Sequence, residues 1–144
     1  MLGAVAGDII GSPYTWNNTD DMYFELCRST KGVFRGNEVT FHPKFTEDSL
    51  MTIAVARWLM HDKDHDKRGL IREMVAMYDS YPQAEYGPRF KGWLKSEYHK
   101  PYYSLGNGSA MRVSPVGLYF EDLADVMRSA APLPTLSMVE SLRR

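Results

Sequence analysis

Apolar residues run almost without a break over positions 50–60, where only Thr52 and Arg57 interrupt them. A helix apolar nearly all round belongs in a protein interior. Thr46 stands before this run as an N-cap, with Glu47 and Asp48 in the first turn, where acids favour the helix dipole. Thr46 is therefore expected at, or just before, the start of that helix. Gly3, Gly7 and Gly11 recur every four residues and share one face of an N-terminal helix that can pack close to a neighbour. Leu70, Ile71, Met74, Val75 and Tyr78 fall at three- and four-residue spacings and predict a helix over 69–81. A further helix is expected over 119–130, with Leu123, Val126 and Met127 on one side. Residues 15–45 are polar and irregular, with turns at Lys31-Gly32 and Arg35-Gly36-Asn37. No strand pattern and no internal repeat stands out, so the expected fold class is all-α, in one domain over 1–144.

Composition narrows the class. A chain of 144 residues can bury about 68% of its unfolded surface. A hydrophobic content of 44% with 24% charged residues is that of an ordinary globular domain. A net charge of -1 gives no electrostatic case for nucleic acid or an anionic membrane as partner. Cys27 is the only cysteine, so no internal disulfide forms, which fits a reducing, cytoplasmic setting. We read Cys27 as a packing residue. Residues 1–10 lack a basic leader, carry Asp8 and are too short to span a bilayer.

Chemistry concentrates in two segments. Thr46-Glu47-Asp48 places two carboxylates and a hydroxyl at the mouth of a buried helix. Buried carboxylates are costly unless paired, hydrogen-bonded or ligating a cation, and hard divalent cations take such oxygens. The same triplet also reads as plain capping. The two readings are compatible, because both place Thr46 ahead of the helix with extended backbone angles. Gly106-Asn107-Gly108-Ser109-Ala110-Met111-Arg112 reads as a glycine-rich turn opening onto a helix, able to bring backbone amides up to a phosphate. It reads equally as a simple turn. Pro115 suits the first turn of the next helix. Asp8, among apolar residues, reads as support for the site rather than a ligand. Asp20-Asp21 reads as a solvated turn, and 61–67 as a solvated interhelical loop. His42 reads as a packing or hydrogen-bonding residue. The aromatics of 86–103, including Trp93, Tyr98 and Tyr102, read as core packing ahead of an adenine wall.

Four segments, in order, resemble the ADP-ribosylglycohydrolases of the dinitrogenase reductase-activating type. They are Gly3-Ala4-Val5-Ala6-Gly7-Asp8-Ile9-Ile10-Gly11-Ser12, the 46–56 block, Tyr81-Pro82 with Tyr86-Gly87, Phe90 and Trp93, and 106–117. The resemblance covers roughly residues 1–129 and implies an all-α orthogonal helical bundle. It implies that Thr46, Glu47 and Asp48 ligate part of a pair of Mg2+ ions, with Glu47 and Asp48 as the catalytic carboxylates. It implies that Gly106, Asn107, Gly108, Ser109 and Met111 hold the diphosphate of ADP-ribose. The implied partner is ADP-ribose or an ADP-ribosylated protein, and the implied reaction is hydrolysis of the bond between ribose and a modified side chain.

Departures from the family pattern set the remaining expectations. Glu47 replaces an aspartate, and Thr15 stands where an acid is usual. The distal Asp-x-Asp-Thr motif is absent, and the 130–144 tail departs from the family pattern. A truncated chain with an incomplete site is expected to turn substrate over poorly and to self-associate through exposed core. The alternatives are a non-catalytic ADP-ribose-binding remnant and a helical structural or interaction fragment. If the site is shared, Thr46, Asp48 and the 106–109 turn line one cleft.

Overall fold

The structure, a computed structural model, describes residues 1–15, 28–102, 104 and 106–133. Its central element is α2 (Glu47–His61), and Thr46 caps it with an extended backbone at φ -116° and ψ -171°. The Thr46 hydroxyl accepts from the Asp48 amide at 3.2 Å. Leu50, Met51, Ala54, Val55, Trp58 and Leu59 are all buried, as an apolar run without a polar face requires. Helix α3 (Lys67–Ser80) packs along it through Leu70, Met74, Met77 and Tyr78. The Asp66 carboxylate caps α3 by accepting from the Gly69 amide at 2.6 Å, and the Trp58 indole donates to the Asp66 carbonyl at 2.9 Å. One residue thus starts the second helix and fixes it to the first. His65 turns the loop between them with φ +48°, its ring edge-on to Trp58.

The remaining helices are short: α1 (Leu2–Gly11), α4 (Pro88–Leu94), α5 (Gly108–Met111), α6 (Ser114–Tyr119) and α7 (Leu123–Ala130). Val116 of α6 and Trp93 and Leu94 of α4 complete the core around α2 and α3, together with Leu133 from the tail. The fold is mostly helical, as expected. Among the described residues, no helix is long and apolar enough to cross a membrane. The expectations for Asp20-Asp21, for Cys27 and for the tail beyond Leu133 lie outside the described residues.

Three features differ from the pattern-based reading. Residues 30–41 form an antiparallel hairpin, β1 (Thr30–Phe34) and β2 (Asn37–Phe41), in register from Thr30 opposite Phe41 to Phe34 opposite Asn37. Its two-residue turn holds Arg35 at φ 52° and Gly36 at φ 82°, the left-handed pair that matches strand twist. Both strands are mostly exposed, so no apolar alternation marks them. The helix expected over 119–130 begins only at Leu123, because the Asp122 carboxylate accepts from the amides of Ala124 and Asp125 and caps α7, while Tyr119 ends α6, the helix that Pro115 opens as expected. Of Leu123, Val126 and Met127, only Val126 packs on the core, while Leu123 is 72% and Met127 67% exposed. Finally, among the described residues the glycine face of α1 has no close neighbour: a Cβ at Gly3, Gly7 or Gly11 meets none of them within 4 Å. Gly7 and Gly11 border an open cleft instead.

Leu70 and Met74 are both fully buried between α2 and α3. Leu70→Ala is expected to lower stability by about 2–5 kcal/mol, read from the shift in a urea unfolding midpoint at unchanged m-value.

Candidate functional site

The site is built on a carboxylate from the first helix. Asp8 Oδ2 accepts from the Thr46 amide at 2.7 Å, the Ser49 amide at 3.2 Å and the Ser49 hydroxyl at 2.5 Å. Asp8 Oδ1 accepts from the Thr46 hydroxyl at 2.7 Å. An acid of α1 therefore caps α2 from outside, in the supporting role read for it from sequence. The Thr46 hydroxyl donates to Asp8 and accepts from Asp48, which leaves one acceptor position free. Thr52 extends the network, donating from Oγ1 to the Asp48 carbonyl at 2.6 Å and reaching the Met111 carbonyl at 3.4 Å.

Two clefts meet at this point. The turn cleft, about 190 Å³, is lined by Gly106, Asn107 and Gly108 on one side and by Glu47 and Asp48 on the other. The acid cleft, about 380 Å³, is lined by Thr46, Asp8, Thr15 and Glu85, and again by Glu47 and Asp48. Met111 borders both. The arrangement expected from sequence is thus divided. Asp48 faces the glycine turn as expected, but Thr46 opens only onto the acid cleft, and Ser109, half-buried, lines neither. The cause is α5, a single helical turn that begins at Gly108 and carries Ser109 round from the cleft. His42, expected to pack or hydrogen-bond, meets the Ser29 hydroxyl through Nδ1 at 2.8 Å. Among the aromatics of 86–103, Trp93 is buried, whereas Tyr102 and Phe90 form wall of the turn cleft.

Electrostatics single out the two acids of the first turn. Burial, with Asp48, Glu85 and Asp8 nearby, pushes Glu47 up from 4.5 to about 7, against a backbone hydrogen bond that lowers it. Asp48 is also raised, by burial first and by the Asp8 charge next, with Arg112 acting the other way. Asp48 Oδ1 is buried with no hydrogen-bond partner. Among the described residues, no three histidine, cysteine or acidic side chains converge as a metal cage. What fits a hard cation here is one side of a coordination sphere: two carboxylates facing open clefts, one oxygen of which lacks any partner. Asp8 also lines the acid cleft, with its carboxylate already accepting four hydrogen bonds from Thr46 and Ser49.

Arg112 is the residue that sequence reasoning passed over. It is 3% exposed, its guanidinium lies over the Phe90 ring at 4.9 Å, and it lines the turn cleft with Asp48. In the sequence it reads only as one more helix former after Ala110-Met111. Nothing local marks it, because its burial is created by Phe90, distant in the chain.

A family model described as ADP-ribosylglycohydrolase matches residues 1–135. The chain is 26% identical to ADP-ribosylhydrolase ARH3 of Homo sapiens over 161 aligned residues, covering 99% of this chain and 44% of that protein. The likeness to ADP-ribosylhydrolase ARH3 of Mus musculus is also 26%, covering 99% of this chain and 43% of the relative. That of Xenopus tropicalis is 23% identical, with 99% and 44% covered. The chain thus spans less than half the length of these relatives. No solved structure matches it significantly.

Two outcomes follow from the geometry. Asp8→Ala leaves the amides and hydroxyls of Thr46 and Ser49 without their acceptor and is expected to cost about 2–4 kcal/mol, read by chemical denaturation, with Asp8→Asn intermediate. The folded Glu47 at about 7 binds more protons than the unfolded side chain at 4.5. Its contribution therefore favours the fold most below 4.5 and is lost as pH rises through about 7. Glu47→Gln is expected to flatten that fall, so that it stabilises near pH ~8 relative to the parent and gains nothing near pH ~5. Unfolding midpoints of the pair at the two pH values check this; a pH-independent difference contradicts it.

Proposed function

The chain belongs to the ADP-ribosylglycohydrolase family, and on that premise we propose that it binds ADP-ribose in the turn cleft beside a Mg2+ site formed in part by Glu47 and Asp48. The observation that carries this reading is the meeting of those two carboxylates with the Gly106–Asn107–Gly108 turn at one cleft, with Asp48 Oδ1 left unpartnered. The two segments lie some sixty positions apart, so chain connectivity does not bring them together. Gly106 and Gly108 keep the turn free of side chains and let its backbone approach a diphosphate. Bound magnesium supplies polarisation of water and of ribose oxygens. Asp48 through its unpartnered oxygen, Glu47, and the remaining acceptor position of Thr46 would hold the ion. Glu47 is also the local carboxylate able to take a proton from water. The reaction class is hydrolytic release of ADP-ribose from a modified side chain.

A second reading, an ADP-ribose binder without useful turnover, is favoured by one observation. Thr15 lines the acid cleft where the family resemblance calls for an acid, and a hydroxyl there accepts no proton near neutral pH.

The test combines binding and turnover. Calorimetry with ADP-ribose at millimolar-range Mg2+ is expected to give saturable binding, and Asp48→Ala is expected to weaken Mg2+ binding by at least about tenfold. Release of ADP-ribose from a modified protein is expected to be slow in the parent and faster in Thr15→Glu. Fast release in the parent, abolished in Asp48→Ala, removes the second reading. Absence of ADP-ribose binding removes both.

A further inference from the structure

Arg112 presents a problem that the proposed function does not use. Its charge is permanent, and a buried charge is costly unless it is paired or fully hydrogen-bonded. Yet its Nε is buried with no hydrogen-bond partner, and among the described residues no carboxylate forms a direct ion pair with it. What surrounds it is specific. The Phe90 ring lies 4.9 Å from its guanidinium carbon, a cation–π contact. Gly108 lies against its other end, where an added Cβ falls 3.2 Å from Nη2. Across the turn cleft stands Asp48, its carboxylate likewise lacking a partner for Oδ1. Gly108 carries no left-handed backbone; its bare Cα leaves room for the Arg112 guanidinium on this side as well as for a ligand on the cleft side.

We propose that Arg112 is the positioning residue of the turn cleft: clamped on Phe90 beneath Gly108, it holds the glycine turn in place opposite Asp48 and keeps that side of the cleft positive, so that an anionic ligand is accepted beside two carboxylates. Arg112 is the cationic side chain among the residues that line this cleft, and so the one that offsets Asp48 there. With it, the field is divided: negative toward the acid cleft, positive under the turn. A lysine reproduces the charge but not the planar stacking or the fork beneath Gly108. The part of this inference that concerns a ligand rests on the proposed ADP-ribose site; the part that concerns the turn does not.

The experiment has a ligand-free arm and a ligand arm, both on the full chain. In the first, 15N-resolved amide signals of Gly106, Asn107 and Gly108 are followed in the parent, Arg112→Met and Arg112→Lys. These amides are expected to exchange with solvent about tenfold faster, or more, in Arg112→Met, and to an intermediate degree in Arg112→Lys. Unchanged turn amides in Arg112→Met overturn the proposal. In the second arm, Arg112→Met is expected to lose about tenfold or more in affinity for ADP-ribose while keeping its affinity for uncharged adenosine. Equal losses for both ligands overturn the charge argument, since a merely structural role moves the two together. Should Arg112→Met fail to fold, Gly108→Ala serves instead: it is expected to loosen the same amides in the parent and to do so less in Arg112→Lys, whose shorter head clears the added methyl. Additive effects of those two substitutions overturn the proposal. A loosened turn together with no ADP-ribose binding by the parent refutes the functional reading and leaves the positioning role of Arg112 standing.

Discussion

Both oxygens of the Asp8 carboxylate are taken up by the first turn of α2, through the amides and hydroxyls of Thr46 and Ser49. Most of what surrounds the clefts depends on this contact. It satisfies donors that every helix start leaves open, and it does so for a helix whose burial removes water as a substitute. It also sets the direction of α1, which has no buried residue of its own to fix it. With Asp8 committed to α2, the acids that face both clefts are Glu47 and Asp48, the two that the helix start presents. Support and display are thus divided between neighbouring carboxylates.

The same division explains why the acids of the first turn are poorly accommodated. A plain helix cap leaves its carboxylates in water, where they stabilise the helix dipole at no desolvation cost. Here Glu47 is pushed up by burial and by three neighbouring acids, and Asp48 keeps an oxygen without a partner. Local rules broken at one point of an otherwise consistent structure mark places where stability has been given up for function.

Much of this was legible in the sequence, where the signal was local. The 50–60 run behind Thr46 specifies α2, its cap and its burial, and the spacing of Leu70, Met74 and Tyr78 specifies α3. Asp8 was legible as support because an acid amid apolar residues needs donors. The hairpin was not, since its register comes from the left-handed Arg35 and Gly36, and exposed strands leave no alternation to read. The late start of α7, at Leu123, rests on the Asp122 side-chain cap, which spacing alone does not reveal. At the site, the Thr46–Asp48 triplet and the glycine turn were each visible, but their relative placement was not. Ser109 leaves the cleft through the one-turn length of α5, and Arg112 gains its environment only when Phe90 arrives from α4. Contacts between distant segments are where a pattern along one chain stops being informative.

The wall of Glu47, Asp48 and Met111 belongs to both clefts at once. Occupants of the two clefts are therefore thermodynamically linked, because each meets the same side chains from opposite sides. If an occupant on one side favours one charge or rotamer of Asp48, it changes the affinity on the other by some factor, and the second occupant changes the first by that same factor. Were both clefts filled, neither affinity would be a fixed property of its own cleft.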